Sequence, residues 1–138
     1  MNDITRFVAY RTEESVFRLR PVKENDKFTI SPKFSCTIKG SNEEFAAFLT
    51  TEIGGENAPA PTPFDLKVTI SGKFVTGKDT QGDKKAQLRL ALTTLFPYLR
   101  AFVSTLTAAS GLPAFILPFV DVDSFAEGAI KPSITVYN

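Results

Sequence analysis

The sequence predicts an α+β fold, a four-stranded antiparallel sheet followed by one long helix packed against it. Two segments in the first half alternate strictly between apolar and polar residues, the period of a strand with one buried and one wet face. A later segment instead repeats leucine at helical spacing. The order, strands first and then a helix, points to a helix laid on one face of an antiparallel sheet.

The clearest strand signals are residues 28–39 and 64–74. In the first, Phe28, Ile30, Pro32, Phe34, Cys36 and Ile38 share one face, and Pro32, lacking an amide donor, marks an edge or a bulge. In the second, Phe64, Leu66, Val68, Ile70, Gly72 and Phe74 oppose Asp65, Lys67, Thr69, Ser71 and Lys73. A weaker pattern runs over 44–53, where Phe45, Ala47, Leu49 and Ile53 alternate but Phe48 falls on the other face; Gly40-Ser41-Asn42 before it reads as a hairpin turn. A first strand region, about 5–20, is interrupted near Thr12-Glu13-Glu14. Residues 54–63 and 77–84 read as loops.

From 86 to 109 the period changes. Leu88, Leu92, Leu95, Leu99, Phe102 and Leu106 form one helical stripe, and the small residues Thr94, Ala101, Thr105 and Ala108 lie opposite, leaving room for a neighbour to approach. Pro97 is expected to kink the helix or break it near Phe96, since an interior proline costs about 3 kcal/mol or more. Gly111 and Pro113 supply a stop signal. Prolines then hold 112–122 extended, and 133–137 reads as a short last strand. The chain is read as a single domain over 1–138: sheet 1–76, helix 84–110, crossover loop 111–125 and tail 126–138.

Charge and composition remove several function classes. Sixteen basic residues against fifteen acidic ones give a net charge of +1, too little to draw in nucleic acid or an anionic membrane surface. There is no histidine, and the lone Cys36 sits on the apolar face of a strand, where a thiol acts as a small hydrophobe. No metal-ligand spacing or phosphate loop is present, and Asp121 with Asp123 reads as a helix-capping pair before a cation site. Neither a catalytic constellation nor a cofactor is expected, so the chain is not read as an enzyme. Residues 1–20 carry too many charges for a secretory signal, and 112–122 is too short and too broken to span a bilayer, which points to the cytoplasm. Thirteen phenylalanines are many for a domain of this size and imply apolar surface at an interface or a binding site.

Within this frame, residues 64–125 resemble the bacterial protein-export chaperone SecB. The resemblance is carried by Leu95-Phe96-Pro97-Tyr98 followed by Arg100, by Gly111 and Pro113, and by Phe115, Leu117, Val120 and Asp123 in the apolar crossover. It implies a SecB-like chaperone: an ATP-independent holdase that binds unfolded or non-native polypeptides in apolar grooves. It also implies a homotetramer assembled as a dimer of dimers, with Leu95, Tyr98, Leu99, Phe102 and Leu106 at the oligomer interface. Leu112, Phe115, Ile116, Leu117, Phe119, Val120 and Val122 would form one wall of the peptide groove, and Phe17 and Leu19 the other. Members of that family dock on the SecA motor through acidic residues. Here Glu14 matches one of those acids, whereas Arg18 and Lys67 stand where others are expected, and the tail 128–138 replaces the usual C-terminal helix. The client-holding role therefore carries over more directly than export. The alternatives are a structural or interaction module of the same fold dedicated to one protein partner, such as a phage, mobile-element or toxin–antitoxin component, and a carrier for an apolar small molecule.

Overall fold

A computed structural model of the chain describes residues 2–21, 28, 30–55, 62–118 and 121–123, together with the backbone of 134–135. The elements are β1 (Arg6–Leu19), β2 (Lys33–Gly40), β3 (Glu44–Ile53), β4 (Phe64–Val75), α1 (Lys84–Ala109) and a two-residue β5 (Ile134–Thr135). All pairings are antiparallel, in the order β1-β4-β3-β2-β5. Strands β2, β3 and β4 follow one another as hairpins and β1 lies beside β4, a Greek-key arrangement.

The alternation read from the sequence sets the two faces. Phe34 on β2, Phe45, Ala47, Leu49 and Ile53 on β3, and Phe64, Leu66, Val68, Ile70 and Phe74 on β4 form the buried face, closed by Leu88, Ala91, Leu92, Leu95, Leu99 and Val103 of α1. Each such side chain contributes about 1.5–3 kcal/mol by leaving water. Helix and sheet meet closely at Gly72, where a Cβ would stand 2.7 Å from Leu95 Cδ2, so a side chain at 72 would crowd the helix. Among the described residues, no helix is long and apolar enough to cross a membrane.

Three sequence expectations change in detail. The strand expected over 28–39 begins only at Lys33, directly after Pro32, which has no N–H to give a ladder. The interruption expected near 12–14 in the first strand is a bulge, not a break. β1 stays paired to β4 throughout, with register shifts between Thr12 and Glu14 and between Phe7 and Ala9. The helix is likewise continuous through Pro97. The carbonyl that loses its partner there is that of Thr93, and both residues lie on the exposed side of α1, where water can take the vacant bond.

Both helix ends are capped. The Asp83 carboxylate accepts from the Ala86 amide at 3.0 Å. At the other end Gly111 takes φ +89°, and the amides of Gly111 and Leu112 donate to the carbonyls of Ala108 and Thr107, a Schellman turn that swings the chain back along the helix.

Candidate functional site

The sheet is wider than its helix. α1 lies over β2, β3 and β4 and barely reaches β1, whose residues are exposed except for half-buried Phe7 and Phe17. The register puts Phe17 opposite Leu66 and Leu19 opposite Phe64, so both project from the helix side of the sheet, beyond the helix.

The crossover segment borders this uncovered strip. Its position is set by two helix hydroxyls: Thr107 Oγ1 accepts from the Phe115 amide at 2.8 Å, and Ser104 Oγ donates to the Phe115 carbonyl at 3.1 Å. Thr107 is fully buried, and its own proton goes back to the helix carbonyls, Val103 O lying 2.9 Å away. With its backbone fixed at both polar atoms, Phe115 turns its ring edge-on to Phe64 at 6.2 Å, and Phe64 stacks on Phe17 at 5.5 Å. An aromatic chain thus joins the crossover to β1. At its sides Leu19 is 52% exposed and Ile116 57% exposed. Phe17 and Phe115 are therefore joined through a floor, Phe64, that the sequence did not single out, with Leu19 across the ladder from Phe64 and exposed Ile116 next to Phe115 in the chain.

Other assignments move. Leu117 is fully buried and anchors the crossover in the core, so it has no surface to offer a ligand. Leu112 and Val122 are half-buried against that core. Phe119 and Val120 lie outside the described residues. Of the residues expected at an oligomer interface, Leu95 and Leu99 are 0% exposed, turned onto the protomer's own sheet, and Val103 and Thr107 continue that buried line as the 3.6-residue period drifts. Phe102 and Leu106 fall to its flank, half-buried. Tyr98 is exposed and stacks on Tyr10 of β1 at 4.1 Å. The small residues Ala101, Thr105 and Ala108 form an open helix face.

On the far side of the sheet, charges pair with one another. Asp65 accepts from Arg18 Nη2 at 2.9 Å, from Arg20 Nε at 2.7 Å and from the Gly55 amide at 2.8 Å. The Arg20 hydrogen bond is the main cause that holds its carboxyl well below the usual carboxylate range, against the opposing effect of burial. Lys67 pairs with Glu14 at 3.5 Å and Lys73 with Glu44 at 3.6 Å. Glu13, on the bulge, accepts from Arg11 Nε and Ser71 Oγ, both at 2.8 Å, which lowers its pKa. The acids and cations of this face are thus largely used within the sheet.

Two smaller sites have structural roles. Burial pushes the Cys36 thiol up to about 12, leaving it protonated at neutral pH. Asp121 Oδ1 accepts from the Asp123 amide at 3.0 Å, a capping contact, and Asp123 in turn takes Arg89 Nε at 2.9 Å. No group of three or more candidate metal ligands occurs among the described residues.

No family model matches the sequence. The uncharacterized protein MJ0357 of Methanocaldococcus jannaschii is 30% identical over 123 residues, spanning 85% of this chain and 79% of MJ0357. Among solved structures, the Mycobacterium tuberculosis SecB-like chaperone Rv1957, in complex with a ChAD peptide from the Rv1956 HigA1 antitoxin, matches with a TM-score of 0.65 and 14% identity. That match covers 84% of this chain and 90% of Rv1957. A Streptococcus agalactiae protein of unknown function matches with a TM-score of 0.54 and 9% identity over 84% of this chain and 98% of its own. The architecture described above is therefore that of the SecB-like fold.

Proposed function

We propose that this chain, which belongs to the family of Methanocaldococcus jannaschii MJ0357, is a SecB-like polypeptide holder that binds extended, non-native segments without nucleotide or covalent chemistry. The observation that carries the reading is the chain of rings Phe17–Phe64–Phe115, flanked by exposed Leu19 and Ile116. Such a strip presents rigid apolar surface to side chains of many shapes and asks little in hydrogen-bond geometry, which suits clients that share no sequence. The bound peptide of Rv1957 supports a polypeptide as the ligand.

Assembly belongs to the same proposal. Among the described residues no strand pairs with the outer edge of the fourteen-residue β1, which carries exposed Val8 and Val16, and an open edge of that length is usually covered in a soluble protein. A homo-oligomer, a dimer of dimers, would cover that edge and the open face of α1 around Tyr98, Ala101 and Thr105. The neutral, internally paired outer face favours a second version of the function, service to one dedicated partner, over docking on SecA through acidic residues.

Suppression of aggregation of a chemically denatured test protein checks the reading. The wild-type chain is expected to slow light scattering at equimolar protomer. Leu19→Asp with Ile116→Asp is expected to abolish this while the oligomeric mass stays unchanged, because both side chains are already half in water. Undiminished holding by that double variant would overturn the site.

A further inference from the structure

We infer a second binding site, on the opposite face of the sheet from the aromatic strip, for an acidic polypeptide segment of a protein partner that carries an apolar side chain beside a carboxylate. The site is a concavity of about 420 Å³. It comes from two adjacent cross-strand rows. One is Ala9–Lys73–Ala46–Lys39 and the next is Arg11–Ser71–Phe48, read directly from the ladders of β1, β4, β3 and β2. Ala9, Ala46 and Ser71 are short, so the middle of the patch sinks between the long side chains around it. The volume is that of a site for one large side chain, not for a folded surface.

Its chemistry is asymmetric. Phe48 is the residue that broke the alternation of its strand, and it stands half-buried on the outer face, where a charged sheet surface would ordinarily carry a polar residue. The Lys39 ammonium lies 5.3 Å from the centre of its ring. The other cations around the pit already hold carboxylates, Arg11 with Glu13 and Lys73 with Glu44. Lys39 is in no ion pair among the described residues, so the pit carries one positive charge more than it neutralises, over an aromatic and alanine floor. An apolar side chain would pack on Phe48 and Ala46 while a neighbouring carboxylate met Lys39. A basic segment would meet that uncompensated cation instead. This assignment uses no residue of the aromatic strip and stands or falls separately from it.

The test is fluorescence anisotropy with a labelled twelve-residue peptide of alternating Phe/Leu and Asp/Glu, alongside a peptide in which each acid is replaced by Lys. The acidic peptide should bind about tenfold more tightly than the basic one. Lys39→Glu and Phe48→Ser should each weaken it about fivefold to tenfold, as expected from losing a cation–π and charge contact. Both peptides are also titrated against the Leu19→Asp, Ile116→Asp variant, where the aromatic strip no longer contributes, and the preference for the acidic peptide should persist there. Because Lys39 is exposed, its substitution reports binding rather than folding. Equal affinity for the two peptides, or acidic-peptide binding indifferent to Lys39→Glu, would overturn the inference. So would loss of the preference for the acidic peptide in the Leu19→Asp, Ile116→Asp variant, which would place the discrimination on the aromatic strip.

Discussion

Strands β1 and β4 are paired along their whole length, yet their fates differ. Eight of the twelve residues of β4 are buried, whereas twelve of the fourteen of β1 are exposed and none is buried. Part of this is position, since β4 is paired on both sides and β1 on one, which leaves the outer flank of β1 open. The rest comes from α1, which seats Leu95 over Gly72 of β4 and meets β1 through Tyr98, on Phe7 and Tyr10. A helix about 10 Å in diameter cannot cover four strands spaced at about 4.8 Å, and the strand left over is the one on which the proposed binding surface lies. On the proposed function, stability and ligand binding are thereby divided between neighbouring strands.

The largest consequence is in stability. Leu95→Ala, beneath the helix, is expected to lower the free energy of unfolding by about 2–5 kcal/mol, while Leu19→Ala on the uncovered strand changes it by less than about 0.5 kcal/mol. Urea denaturation followed by circular dichroism checks both. Comparable losses would mean that β1 is packed more deeply than its exposure indicates.

A smaller effect is expected at the crossover that borders β1. Thr107→Val keeps the shape of the side chain but removes the acceptor for the Phe115 amide and one donor to the helix, about 1–2 kcal/mol together. Hydrogen exchange should show the Phe115 amide losing protection while amides in the middle of α1 keep theirs. Retained protection would mean that Leu117 alone holds the segment.

The acid limb of stability tests the outer face. The Asp65 carboxyl is held below its ordinary value of 3.8 by Arg20, Gly55 and Arg18. Its contribution is therefore present in full above pH 3.8 and is lost as the pH falls from there through the folded value. Asp65→Asn is expected to flatten this part of the stability profile, and an unchanged acid slope would remove Asp65 from the account. The mildest expectation concerns Cys36: with its pKa near 12 it should react slowly with iodoacetamide at pH 8 in the native state and quickly in urea.

How far the sequence alone reaches follows the same division. The covered strands were legible because one register of alternation holds from end to end, as in Phe64 to Phe74. β1 was not, because its bulges flip the parity of its helix-side residues twice, from Phe7 to Tyr10 and Thr12, then to Ser15, Phe17 and Leu19. Of the site, Leu19 and Ile116 were expected as groove residues together with the rest of the crossover, and the structure leaves these two exposed. Leu117, Leu95 and Leu99 share the same chemistry but lie in the core, a distinction set by which way the backbone faces and not by residue type. Ser104 and Thr107 carried no signal, because their role exists only once the crossover has folded back on α1.

The central claim is that non-native clients meet the helix side of β1 and not its other face. Leu19 and Val16 allow a direct comparison, being on one strand, 52% and 49% exposed, and on opposite faces. A photo-crosslinking residue placed at 19 or at 16, irradiated with a denatured client lacking acidic clusters, separates the two faces. The account predicts client adducts from position 19 and few from position 16. Equal yields from both positions, or a higher yield from 16, would contradict it.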